Sequence, residues 1–225
     1  MGKRSDFERI PRDFYATPMA AVWPLIPYLK RDGVRTFAEP CCGDGDLVRH
    51  LESFGPRCAY AGDIATGQDA LELTVADLDG ADAVITNTPY RHPEDPPHST
   101  RLLRELIEHF LDLGKPSWLL LPHAWSVNKG SALYLRRCSD IVAVGRVKWI
   151  KGSKFTGEDD YCWYRLDTNH RGGIAFHNGR GEAEWQIAAQ SLKEEANDGE
   201  ARFQRCSAAE RVFAGRFQSR RTPYP

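Results

Sequence analysis

The segment Phe37-Ala38-Glu39-Pro40-Cys41-Cys42-Gly43-Asp44-Gly45 joins an apolar run to a turn with two glycines. Thr36 to Glu39 reads as a short strand, being rich in residues that suit a pleated, covered surface. Gly43 and Gly45 let the backbone turn sharply and let a ligand approach it closely, because neither carries a Cβ. Behind the turn, Asp46 to Phe54 has helical spacing, with Leu47, Val48, Leu51 and Phe54 on one side. Strand, glycine turn and helix form the opening unit of an open α/β sheet. A pyrophosphate fingerprint needs a further glycine three places after Gly45. Val48 stands there, so a dinucleotide reading fails.

Outward from this unit the same alternation continues. Cys58 to Gly62 reads as a second strand ending at Asp63-Ile64, and Leu71 to Val75 as a third ending at Asp77. Ala81 to Thr86 reads as a fourth and stops at Asn87. Upstream, Thr17 is placed to cap a helix that starts at Pro18, made irregular by Pro24 and Pro27. Arg91 to Thr100 holds three prolines and is a loop. Arg101 to Leu113 is the clearest helix, with apolar residues recurring at three and four and Gly114 ending it. Trp118 to Leu121 is a strand covered on both faces. Ser131 to Cys138 reads as helix and Ile141 to Ile150 as a long strand. Tyr161 to Leu166 and Gly173 to His177 are further strands. The expectation is a Rossmann-like α/β fold: a mostly parallel, doubly wound sheet with an antiparallel C-terminal strand. Residues 1–180 would form this domain, and residues 181–225, polar and rich in Ala, Glu and Arg, a helical or disordered extension. Ligands of such sheets lie beyond the carboxyl ends of the strands, where this reading puts Glu39, Asp63, Asp77 and Asn87.

Composition narrows the class. The chain has 225 residues, 41% hydrophobic and 27% charged, which is ordinary globular usage that needs no disulfide or metal. A formal net charge of -1 weighs against a long, purely electrostatic grip on duplex DNA. Local basic clusters remain, Arg146, Lys148, Lys151 and Lys154 in one and Arg211, Arg216, Arg220 and Arg221 in another. Either cluster also reads as a solvated face. Six scattered cysteines without a C-x-x-C pair speak against a zinc or redox centre and for reduced thiols. No apolar run is long enough to span a bilayer, and the first residues are charged rather than a signal core, so the expected location is cytoplasmic.

Glu39-Pro40-Cys41-Cys42-Gly43-Asp44-Gly45 resembles the first motif of class I S-adenosylmethionine (SAM)-dependent methyltransferases, in the E-P-x-x-G-x-G form of amino-methylating enzymes. Asn87-Thr88-Pro89-Tyr90 resembles the (D/N/S)-P-P-(Y/F) motif of the same enzymes, with Thr88 where the family usually has proline. The phage-type N6-adenine DNA methyltransferases are the family members it looks most like. The resemblance implies that Glu39, Pro40, Cys41, Gly43, Gly45 and Asp63 hold SAM, with Asp63 accepting from the ribose hydroxyls and Ile64 beside it. It implies that Asp77 contacts the adenine end, although Asp77 also reads as a plain turn residue. It implies that Tyr15 and Thr17, within Phe14-Tyr15-Ala16-Thr17-Pro18, close over the methionine end, although Thr17 also reads as a helix cap alone. Asn87, Thr88, Pro89 and Tyr90 would be the catalytic set, with Asn87 also at the cofactor.

The second motif suits planar amines. An exocyclic amine is a poor nucleophile because its lone pair is delocalised into the ring. An amide oxygen on Asn87 and the backbone carbonyl of Thr88 can each accept one N–H and draw the nitrogen toward tetrahedral geometry, while Tyr90 stacks on the base. Loss of proline at position 88 keeps that carbonyl, and Pro89 still holds Thr88 extended. The expected activity is methyl transfer from SAM to adenine N6 in DNA. RNA or protein-glutamine methylation with the same motif, and a non-catalytic SAM-fold binding module, are the alternatives. The short segment after Tyr90 leaves little chain for reading a long site. Trp125, Trp149, Tyr161 and Trp163 are candidate stacking surfaces that also read as core.

Overall fold

Apolar residues dominate the central strands of this chain, and Glu39, Asn87 and Gly145 mark the ends of three of them. The computed structural model describes residues 15–92, 94–96, 99–150, 154 and 156–179. Its strands are β1 (Thr36–Glu39), β2 (Arg57–Ala61), β3 (Ala83–Thr86), β4 (Ser117–Pro122), β5 (Cys138–Gly145), β6 (Tyr161–Leu166) and β7 (Ala175–His177). They form one sheet in the order β2-β1-β3-β4-β6-β5-β7. All neighbours are parallel except where β6 meets β4 and β5. The antiparallel strand of the C-terminal part is therefore β6, and short β7 lies beyond β5 and parallel to it. This is a Rossmann-like α/β fold.

Both faces of the sheet are covered. On one, α1 (Met19–Val22), a 3-10 turn (Trp23–Leu25), α2 (Ile26–Arg31) and α3 (Asp46–Glu52) pack on Phe37, Ile85, Trp118, Leu120, Val142 and Trp163. The break between α1 and α2 falls at Pro24 and Pro27, which lack the N–H that a continuous helix needs. On the other face, α4 (Arg101–Asp112) packs Leu102, Leu103, Leu106, Ile107 and Phe110 against Leu119, Leu121, Cys162 and Tyr164. Alternation along β4 sends Trp118 and Leu120 to one face and Leu119 and Leu121 to the other, so the whole strand is apolar. Gly114 follows α4 with φ 75° and ends it as expected.

Four expectations are corrected. Leu71 to Val75 is not a strand. The Asp69 carboxylate accepts from the Leu71 N–H at 2.9 Å, and Asp77 accepts from the Thr74 N–H at 2.8 Å and its hydroxyl at 2.6 Å. Turn chemistry wins there, and Leu73 and Leu78 pack onto Ala38 and Val84 as a lid on the sheet while β2 stays the edge. Thr17 caps no helix, since Pro18 occupies the cap position and no side chain bonds there. The helix expected over 131–138 shrinks to α5 (Ala132–Leu135), and β5 starts at Cys138 and stops at Gly145 rather than running from 141 to 150. Gly145 has φ 78°, which turns the chain out of the sheet. The extension expected over 181–225, including Arg211, Arg216, Arg220 and Arg221, lies outside the described residues.

Candidate active site at the carboxyl ends of β1 and β3

Strand order places the site. From β1 the chain goes to β2 on one side, then crosses to β3 on the other. The carboxyl ends of β1 and β3 therefore flank the switch point, where α/β sheets open a crevice. Glu39 ends β1, and Asn87 follows the last residue of β3. Asp63 follows β2 by two residues. Three of the four acids and amides expected at strand ends thus share this edge. Asp77 sits instead in the exposed turn that its own carboxylate closes.

Glu39 is 1% exposed. Its Oε1 accepts from the Cys41 N–H at 3.1 Å, and its Oε2 has no hydrogen-bond partner. Burial pushes this carboxyl up to about 8. The nearby Thr86 hydroxyl and the Cys41 N–H offset part of the rise, and the Asp63 charge adds to it. The Thr86 hydroxyl lies outside good hydrogen-bond geometry, so it too is buried and unpartnered, as is that of Thr88. Buried polar atoms without partners are costly unless something fills the need. Burial also pushes the Cys41 and Cys42 thiols up, which favours their neutral form.

The glycine turn is stitched to the end of β2. Gly43 and Gly45 have φ 50° and 77°, a region that other residues enter only with strain. The Gly43 N–H donates to Asp63 Oδ2 at 2.8 Å, and the Ala65 N–H donates to Asp63 Oδ1 at 2.8 Å. The Cys42 N–H donates to the Gly62 carbonyl at 2.9 Å. An ionised carboxylate offers about four lone-pair sites, so Asp63 keeps acceptor capacity after these two bonds. Ile64 beside it is 60% exposed, an apolar side chain standing free at the rim.

Asn87 Nδ2 donates to Thr17 Oγ1 at 3.2 Å. The Thr17 carbonyl accepts from His50 Nδ1 on α3 at 3.1 Å. The Tyr90 hydroxyl donates to the Leu120 carbonyl on β4 at 3.2 Å, which fixes a half-buried ring against the α4 side of the core. Tyr15 meets Trp149 edge-on at 6.4 Å between centroids, and Trp149 meets Tyr161 edge-on at 4.7 Å. Of the four candidate stacking residues, Trp125 and Trp163 are core. Trp125 packs edge-on against Tyr164, and Trp163 donates its indole N–H to the Ala21 carbonyl at 2.7 Å. Arg146, Lys148 and Lys154 are exposed on the chain between β5 and β6, while Lys151 lies outside the described residues.

No protein-family model matches this sequence, and no curated protein matches it. The following two are among the solved structures similar in outline. One is from Vibrio vulnificus, assigned as the modification subunit of a type I restriction enzyme. It has 15% identity and a TM-score of 0.42 over 72% of this chain and 45% of that one. This chain therefore spans less than half the length of that subunit. The other, from Pyrococcus horikoshii, is assigned as an RNA methyltransferase. It has 14% identity and a TM-score of 0.39 over 68% of this chain and 85% of that one.

Sequence reasoning passed over Thr86, His50 and the Leu120 carbonyl. A polar residue ending the apolar run Ala83-Val84-Ile85 was a readable signal for Thr86. His50 and Leu120 reach the site only through the packing of α3 and β4. Among the described residues, no His, Cys, Asp and Glu cluster suits a metal ion, and no helix is long and apolar enough to cross a membrane. A shallow cleft lined by Ile26, Leu29, Val34, Phe54 and Pro56 lies at the opposite, amino end of the strands, away from this chemistry.

Proposed function

We propose that this chain binds SAM and transfers its methyl group to a planar exocyclic amine, with adenine N6 in DNA as the acceptor. The observation that carries the proposal is the buried, half-unpartnered Glu39 at the switch point, flanked by the Gly43–Gly45 turn and by Asn87. The residues fit the cofactor. In its ionised form Glu39 can accept on Oε2 from a donor such as an ammonium, and the turn leaves no Cβ in the way of an amino-acid moiety. Asp63 has acceptor capacity for a vicinal diol, and Ile64 offers an apolar surface for a purine. Pro40 and Cys41 complete the turn. Tyr15 closes over the methionine end, as the resemblance implies.

The cofactor supplies an electrophilic methyl group. The chain supplies orientation. The Asn87 amide oxygen and the Thr88 carbonyl accept the two N–H groups of the amine and aim its lone pair. Pro89 keeps Thr88 extended, so its carbonyl stays available without the usual proline at 88. Tyr90, tethered through its hydroxyl, presents a fixed ring on which a base stacks. A base in duplex DNA must be flipped out to reach Asn87, at a cost of a few kcal/mol. Arg146, Lys148 and Lys154 meet the phosphates, and each contact adds roughly one unit to the salt-dependence slope.

Calorimetry with SAM is the first test. The wild type should bind, and Asp63→Ala should weaken binding by about 1–3 kcal/mol. Nucleoside mass spectrometry of DNA incubated with the protein and SAM should then show N6-methyladenine, lost in Asn87→Ala with SAM affinity kept. No SAM binding to the wild type would overturn the proposal. Methylated RNA or protein glutamine with unmodified DNA would overturn only the acceptor, and SAM binding with no transfer to any pool would leave a binding module.

A further inference from the structure

We propose that Thr17 is a positioning residue: its hydroxyl holds the nitrogen end of the Asn87 amide, so that the oxygen end is the one presented to an acceptor amine. This rests on the methyl-transfer reading of the site. The backbone at Asn87 is fixed from both directions, because the 4 residues of β3 before it are buried and so is Thr88 after it. What remains to be set is the side-chain amide. Its two ends are nearly equal in size and opposite in chemistry, since nitrogen donates and oxygen accepts. A flipped amide would set N–H against the N–H of the amine.

In the structure the end that meets Thr17 is the nitrogen. Asn87 Nδ2 donates to Thr17 Oγ1 at 3.2 Å, and Thr17 is only 4% exposed, so water competes poorly for that bond. Thr17 is itself held. Its carbonyl accepts from His50 Nδ1 at 3.1 Å. A carbonyl oxygen can only accept, so His50 carries a proton on Nδ1. His50 lies on α3, the helix that leaves the glycine turn, and Pro18 restricts Thr17 from the other side. The orientation of Asn87 is thereby tied to the element that carries Gly43 and Gly45. A helix cap needs none of this, and Thr17 caps nothing.

The free protein gives a readout that needs no turnover. In a nitrogen-edited NMR spectrum, the Asn87 side-chain amide pair is identified by its loss in Asn87→Ala. Thr17→Val should move that pair to the position of a solvent-exposed amide, and Thr17→Ser should leave it in place. A pair indifferent to Thr17→Val would overturn the inference. In turnover with DNA and SAM, Thr17→Val should lower kcat about 10- to 100-fold, the cost of misdirecting a group that orients the substrate. KM for DNA and Kd for SAM should stay within about twofold, and Thr17→Ser should recover most of the rate. Weaker SAM binding at unchanged kcat would make Thr17 a cofactor ligand instead. Should Thr17→Val fail to fold, Thr17→Ala against Thr17→Ser makes the same comparison. If the wild type methylates nothing, the methyl-transfer reading fails while the amide signal still decides whether Thr17 holds Asn87.

Discussion

Glu39 is a carboxyl that the fold withdraws from water while leaving one oxygen without a donor. Its folded-state value, pushed up to about 8 chiefly by burial, lies above that of the unfolded chain. Native protein therefore keeps a proton that unfolded protein has released, throughout the interval from the ordinary glutamate range to about 8. The resulting stability is fully present below that range and is lost as pH rises toward 8, at about 1 kcal/mol per pH unit for one proton. Urea unfolding of ligand-free protein between pH 5 and 8 should show this decline, and Glu39→Gln should flatten it. An equal decline in Glu39→Gln would place the titrating group elsewhere. Glu39, Asn87 and the glycines were legible in the sequence because their spacing after apolar runs is a local property. The burial of Glu39 was not, because it comes from β2, β3 and the glycine turn closing around the end of β1.

At the scale of elements, α1 is tied to the sheet through Trp163. This residue of β6 is fully buried, and its indole donates to the Ala21 carbonyl on α1 at 2.7 Å. Trp163→Phe keeps most of the apolar surface and removes the donor, so a buried carbonyl near the end of α1 loses its partner. The cost should be about 1–3 kcal/mol, read as a lower urea midpoint with an unchanged slope. An unchanged midpoint would show that water or a shift of α1 replaces the bond. Strands β1 and β6 were readable to the residue because their apolar content stands out against polar flanks. Leu71 to Val75 had the same composition and failed, because Asp69 and Asp77 turn their carboxylates onto nearby backbone N–H groups. Cys138 to Asp140 failed in the opposite sense. Cys138 read as a helix end, and Ser139 and Asp140 fell between the expected helix and strand, yet all three are strand because their partners lie on distant elements.

Those partners join the molecule across its far edge. Asp140 accepts from Arg31 Nη1 at 2.8 Å, from His177 Nε2 at 2.8 Å and from Ser139 Oγ at 2.7 Å, linking β5 to α2 and β7. Burial pushes its carboxyl up, but the bonds from Arg31, His177 and Ser139 outweigh that and hold it at about 2. Its stabilising contribution is present above the ordinary aspartate range and is lost as pH falls through that range toward 2. Asp140→Asn should cost about 1–3 kcal/mol at neutral pH and remove part of the acid sensitivity, as measured by urea unfolding between pH 7 and 3. A variant as stable as the wild type, with the same acid limb, would show that the network contributes nothing net. With Glu39 acting at the alkaline side and Asp140 at the acid side, the free protein should be most stable in mildly acidic solution.

The sequence by itself determined the alternation of strands and helices, the glycine turn after Glu39 and the motif at Asn87. Each of these depends on neighbours within a few residues: side-chain period, missing Cβ atoms, and the restriction imposed by proline. The tertiary structure decided what those residues face. It made β1 and β3 neighbours at the switch point, turned the segment before Asp77 into a lid instead of a strand, and withdrew Thr17 from capping to meet Asn87. Such pairings join residues 70 positions apart, as Thr17 and Asn87 are. Only the closing of the sheet and the packing of α1 and α3 upon it bring them within hydrogen-bond distance.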